Sequence, residues 1–176
     1  MREFTLIANP RAPRGFTLIE ILVVVVILAV LAGALTLAVG GVGGERQLAR
    51  EAAQAQALIG YACEQAELSG REIGLSLNDR GYRFSRLDRS DWLPLSADEL
   101  RPRLWLVGTL PTLTRDGHRV DIAAQFPDKP QLVCLSSGEL TPFRLELGLT
   151  GLAQRYRLDG QPDGSVVLAT VDAHAR

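Results

Sequence analysis

Hydrophobic and polar positions divide this chain into two regimes. Across residues 16–39 every position is apolar except Thr17, Glu20, Gly33 and Thr36. Such a run predicts a helix that is apolar on all sides. At about 1.5 Å per residue it reaches across the roughly 30 Å hydrocarbon core of a bilayer with some tilt. It is longer than the roughly 7–15 apolar residues of a secretory signal, although Ala38-Val39-Gly40 has the small residues at which such a signal is cut. No second run of this kind follows, so a single span is expected.

Gly40-Gly41-Val42-Gly43-Gly44 comes next. Each glycine costs a helix about 1 kcal/mol relative to alanine, so residues 40–44 are expected to loosen or bend it as a hinge. Helical spacing then returns: Leu48, Ala52, Ala55, Ile59, Ala62 and Ala66 recur at intervals of four and three. Because this stripe is mostly alanine, whatever covers it must approach closely. Ser69-Gly70 supplies the stop. Alternation and turn residues mark strands at 73–77, 82–87, 92–93, 104–107, 120–123, 131–135, 143–147, 154–158 and 166–170. Asp159-Gly160 and Asp163-Gly164 bracket a hairpin loop between the last two. One long N-terminal helix, half transmembrane and half amphipathic, followed only by strands, predicts an α+β fold with the helix on antiparallel sheet.

Composition sharpens this division. The 176 residues are 47% apolar and carry a net charge of −1. From Glu45 onward there are 16 basic and 18 acidic residues, which does not favour a nucleic-acid partner. The local basic cluster, Arg80, Arg83, Arg86 and Arg89, reads as a solvated strand face. Arg2, Arg11 and Arg14 precede the span and Arg46 and Arg50 follow it, a slight bias that places the N-terminus in the cytoplasm.

Glu20 is the one charge inside the apolar run, where a carboxylate costs up to about 2.5–3.5 kcal/mol at a helix centre and less near an end. A residue so near the end can reach the interface; its alternative is a partner from outside the span. If the chain were cut after Gly15, the new α-amine of Phe16 would lie four residues from Glu20, about 6 Å along a helix. In an array staggered by that rise, Glu20 of one subunit meets the amine of the next, and such a buried pair fixes register.

Arg14-Gly15-Phe16-Thr17-Leu18-Ile19-Glu20, followed by an apolar helix, resembles the class III signal of type IV prepilins, the class of type IV pilins and of the pseudopilins of type II secretion. The resemblance implies that prepilin peptidase removes residues 1–15 by cutting after Gly15, that Phe16 is N-methylated, and that Glu20 serves assembly. Phe4-Thr5-Leu6-Ile7 repeats Phe16-Thr17-Leu18-Ile19, but it follows Glu3 rather than glycine and has Ala8 where the glutamate should stand. It reads as leader.

The domain at 45–176 looks most like the minor pseudopilin H group (GspH/FimT). The residues that carry this are Gly70-Arg71-Glu72-Ile73-Gly74-Leu75, Gly81-Tyr82-Arg83-Phe84 and Ser137-Gly138-Glu139-Leu140-Thr141-Pro142-Phe143. The resemblance implies a pilin-like α+β fold and a structural role at or near the tip of a periplasmic pseudopilus that helps export folded proteins across the outer membrane. The implied partners are prepilin peptidase, other major and minor pseudopilins in a hetero-oligomeric filament, the inner membrane, and a secreted substrate or outer-membrane secretin. The implied location is the inner membrane, single-pass, with the domain periplasmic. The alternative within the class is a minor pilin of a type IV pilus that binds DNA for uptake.

Cys63 lies beside the alanine stripe and Cys134 shares a strand face with Leu132. Both a disulfide and two buried thiols fit that placement. A bridge over a loop of this length adds about 4.5 kcal/mol on the chain-entropy model. Catalytic groupings are missing. His118 and His174 are the only histidines, no Cys/His/Asp spacing suits a metal, and Ser136 and Ser137 have no base nearby in sequence. Neither enzyme activity nor a cofactor is expected.

Overall fold

The computed structural model describes residues 18–172, with side chains described outside 32–42. The chain divides between Gly40 and Gly41 into two compact units. Helix α1 (Leu18–Ser69) is helical along its whole length, the glycines of 40–44 included. Glycine lowers helix stability there without forbidding the conformation. The boundary between the two units falls inside this glycine run.

In the second unit α1 ends where Ser69-Gly70 predicts. Gly70 takes φ +62°, and the Arg71 and Gly70 N–H groups donate to the carbonyls of Ala66 and Glu67. The strands that follow are β1 (Ile73–Asn78), β2 (Gly81–Asp88), β3 (Asp91–Pro94), β4 (Arg103–Leu104), β5 (Thr109–Arg115), β6 (His118–Val120), β7 (Leu132–Cys134), β8 (Phe143–Leu149), β9 (Gln154–Gly160) and β10 (Val166–Asp172). They form two antiparallel sheets. The first runs β3-β2-β1-β7, with β4 joining the start of β2; the second runs β10-β9-β8-β5-β6.

The alanine stripe explains how α1 meets these sheets. Leu48, Ala52, Ala55, Ile59, Ala62 and Ala66 are all buried, with Leu58 beside them. Small side chains bring the helix close enough for Ile59 and Ala62 to line one cavity with Ile73, Leu75 and Phe84 of the first sheet and with Leu132. Leu113, Leu145, Leu147 and Leu158 supply the second sheet's share of the same core.

Strand β1 departs from the half-buried alternation expected of it, because all its residues are buried. Residues 123–131 cross its far face. The Asn78 amide donates to Ala124 O, and the Gln131 side chain accepts from Leu77 N at 2.7 Å and donates to Leu77 O. A Cβ on Gly74 would strike the Pro130 ring, so only glycine fits beneath this strap.

The expected strand at 104–107 is mostly loop: only Arg103–Leu104 pair, and β5 follows from Thr109. Pro111 hid β5 from sequence reading, since proline cannot donate to a ladder. It is tolerated because β6 pairs only with Leu113, Thr114 and Arg115, leaving Pro111 bordered on one side, by β8. The expected strand at 120–123 lies instead at 118–120, with the strap beginning where its end was placed.

Candidate functional site

The first unit presents a continuous apolar surface. Every large hydrophobic side chain described from Leu18 to Leu31 is exposed, Leu18 at 85%. Surface of this kind costs about 25 cal/mol per Å² in water, so the helix needs lipid or other helices around it. Among the described residues no helix is long and apolar enough to cross a membrane. The run predicted at 16–39 extends on both sides beyond the described side chains of 18–31. Glu20 lies in the first turn of α1, where a carboxylate complements the helix dipole. Gly15 and Phe16 lie outside the described residues.

Cys63 and Cys134 are brought together. Their Cα atoms stand 4.9 Å apart and a disulfide joins them. Both are buried, and the Cys134 sulfur also lies 4.0 Å from Ile59 O. The bond clamps the C-terminal half of α1 to β7 across the core.

A second tie joins α1 to the segment that leads into β5. The Glu51 carboxylate accepts the Leu106 N–H at 2.6 Å and the Thr109 hydroxyl at 3.2 Å. Burial raises its pKa above 4.5, against the lowering effect of the two bonds. The only hint in sequence is position: Glu51 precedes Ala52 at the edge of the buried stripe. Nearby, the Trp105 indole donates to Asn78 O and its N–H to Arg80 O. Residues 104–109 are thus fixed onto α1 and β2.

The basic cluster is not one solvated face. Spacing of three along β2 alternates sides, which corrects the strand-face reading. Arg83 turns to the strap, donating to Pro127 O and lying 4.6 Å over the Phe126 ring. Arg86 lines a cavity with Tyr61, Gln65 and Leu95 on the helix side. Arg89 sits at a turn with φ +57°. This leaves no continuous basic stripe on β2 for a phosphate backbone. His118 is exposed on β6, His174 lies outside the described residues, and no metal-holding group occurs among the described residues.

Comparison with known proteins ties this architecture to a family. Residues 10–36 match the model of the prokaryotic N-terminal methylation motif. The type II secretion system protein H of Pseudomonas aeruginosa is 40% identical over 151 residues, covering 80% of this chain and 86% of that protein. This chain belongs to the type II secretion system protein H family. The protein H of Aeromonas hydrophila is 30% identical, over 76% of this chain and 79% of its own. The fold agrees as well. The crystal structure of the minor pseudopilin EpsH from the type II secretion system of Vibrio cholerae matches with a TM-score of 0.60 at 26% identity, over 70% of this chain and 93% of that one. The solution structure of E. coli GspH shows the same fold, with a TM-score of 0.57 over 75% of this chain and 92% of its own. Protein H is thus a structural secretion component of pilin-like α+β fold. Its prepilin-like N-terminus fits inner-membrane anchoring and association with other pseudopilins.

Proposed function

We propose that this protein H is a minor pseudopilin at or near the tip of a periplasmic pseudopilus, helping to move folded proteins across the outer membrane. Prepilin peptidase cuts between Gly15 and Phe16 and the new Phe16 amine is methylated. Residues 16–39 hold the chain in the inner membrane in a single pass, with residues 45–176 in the periplasm, and later form part of the filament core. Glu20 then meets the Phe16 amine of a neighbouring subunit and sets the stagger between helices. The work is packing, without catalysis or cofactor.

The observation that carries this reading is the pairing of a wholly exposed apolar helix from Leu18 to Leu31 with a compact domain of the protein H family. An oxidising periplasm also suits the Cys63–Cys134 bond. The partners are the major and minor pseudopilins, and at the growing end a secreted protein or the secretin. The test is co-purification of the tagged, membrane-extracted chain from cells that assemble the secretion system. Recovery of other pseudopilins, together with loss of exoprotein export on deletion of the gene, is expected. Normal export from the deletion strain contradicts the proposal.

A further inference from the structure

We infer that the cavity around Arg86 receives the carboxylate of an aspartate or glutamate side chain from a neighbouring protein subunit. The inference rests on the proposal that this chain assembles with other pseudopilins.

The cavity holds about 180 Å³ between the last turns of α1 and the segment that follows β3. Buried Ile73 and Leu100 and half-buried Leu95 give it apolar walls. Tyr61, Gln65 and Ser69 enter from successive turns of α1, and Arg86 enters from β2. Arg86 is half-buried, and its Nε is closed off from solvent with no partner. Its side chain makes no hydrogen bond or ion pair with any described residue. Arg83 and Arg103 also carry a buried Nε, but their outer nitrogens donate to Pro127 O and Glu99 O. Buried cations are ordinarily paired, since water no longer solvates them. Arg86 is thus a positioned donor without its anion.

The chain's own carboxylates do not supply one. Asp98 and Glu99 line the same cavity, yet both are exposed. Glu99 pairs with Arg103 at 3.7 Å, and the Asp98 carbonyl accepts from Arg101. These bonds engage the segment with Arg101 and Arg103 rather than with Arg86.

What enters must be small and acidic. Pockets that take drug-sized ligands span about 300–1,000 Å³, so this one suits a single side chain. A guanidinium offers a planar fork of donors that matches a carboxylate, and burial reduces the screening of such a pair by salt. The Gln65 amide and the Tyr61 hydroxyl make no bond to a described residue and are available beside it. The aliphatic stem of an incoming acidic residue fits the walls at Leu95 and Leu100.

Lys129 is the only lysine of this chain, which allows a chemical test. In a Lys129→Arg background, Arg86→Lys places a single side-chain amine in the cavity. Membranes from cells that assemble the secretion system are treated with a water-soluble carbodiimide. The reagent activates a carboxyl so that a touching amine joins it as an amide, with net loss of one water to the carbodiimide. Mass spectrometry is expected to find residue 86 joined to an aspartate or glutamate of another subunit. A link to Asp98 or Glu99 of the same chain, a small-molecule adduct, or no link at residue 86 while other pseudopilins co-purify overturns the inference and leaves the assembly standing. Absence of co-purifying pseudopilins overturns both. Arg86→Gln gives a second reading. It should keep the native melting temperature in detergent, because a cation without a partner ties nothing together in the lone chain. It should also recover several-fold less of the neighbouring subunits, whereas Arg89→Gln, at an exposed turn, changes neither. An Arg86→Gln chain that unfolds or melts far lower gives Arg86 a role inside the fold, and one that recovers its neighbours normally leaves the cavity without an occupant; either overturns the inference.

Discussion

Cys63 in the last third of α1 and Cys134 in β7 are joined by a disulfide across 71 positions of sequence. Tying the helix to the sheet removes freedom from the unfolded chain, a stabilisation of about 2–4 kcal/mol for bridges of this kind. A Cys63→Ala, Cys134→Ala double variant of the full chain in detergent is expected to melt about 10 °C lower in calorimetry. A melting point that neither the double variant nor reductant changes contradicts a clamping role.

Glu51 supplies a pH-dependent term. Its folded-state pKa is raised above 4.5, chiefly by burial. Below 4.5 the group is protonated whether the chain is folded or not, and its contribution to stability is then fully present. As pH climbs through the raised folded value, a buried charge must form and that contribution is lost. The melting temperature of the native chain should therefore fall relative to Glu51→Gln as pH rises from 4.5 toward neutrality. Curves that stay parallel over that range contradict the assignment.

The alanine stripe makes a packing prediction. Ala62 is 1% exposed against the first sheet, whereas Ala53 faces solvent on the same helix. Ala62→Leu overfills a close contact and should cost about 1–3 kcal/mol. Ala53→Leu should change stability by no more than about 0.5 kcal/mol. Urea unfolding of both variants checks the pair, and equal midpoints contradict the close approach of helix and sheet.

Glu20 tests assembly apart from folding. Glu20→Ala should still be cut after Gly15 and keep the native melting point, since the residue is exposed in the first turn of α1. It should fail to co-purify with other pseudopilins, because removing one partner of a charge pair in an apolar core leaves the other uncompensated. Cross-linking followed by immunoblotting reads both steps, and normal recovery of the neighbours contradicts the register role.

The helix and most strands were legible because period and punctuation agree there: small or apolar residues at every third or fourth place from Leu48 to Ala66 of α1, and glycine at its stop. Three features were not. Pro111 masks β5, and its tolerance depends on where β6 stops pairing. The burial of Gly74 and Ser76 depends on a strap from residues some fifty positions later, which no local pattern announces. The tie from Glu51 to Leu106 joins a side chain to a backbone N–H, so the identity of residue 106 carries no trace of it. The N-terminal signal, by contrast, is a string of adjacent residues and needs no fold to be read.

The proposed assembly depends on processing of this chain after Gly15. Mass spectrometry of the N-terminal peptide of the membrane-extracted protein tests it most directly. The expected peptide begins at Phe16 and is heavier by one methyl group on its amine. A peptide beginning at Met1, or at Gly41 after signal-peptidase cleavage, contradicts it.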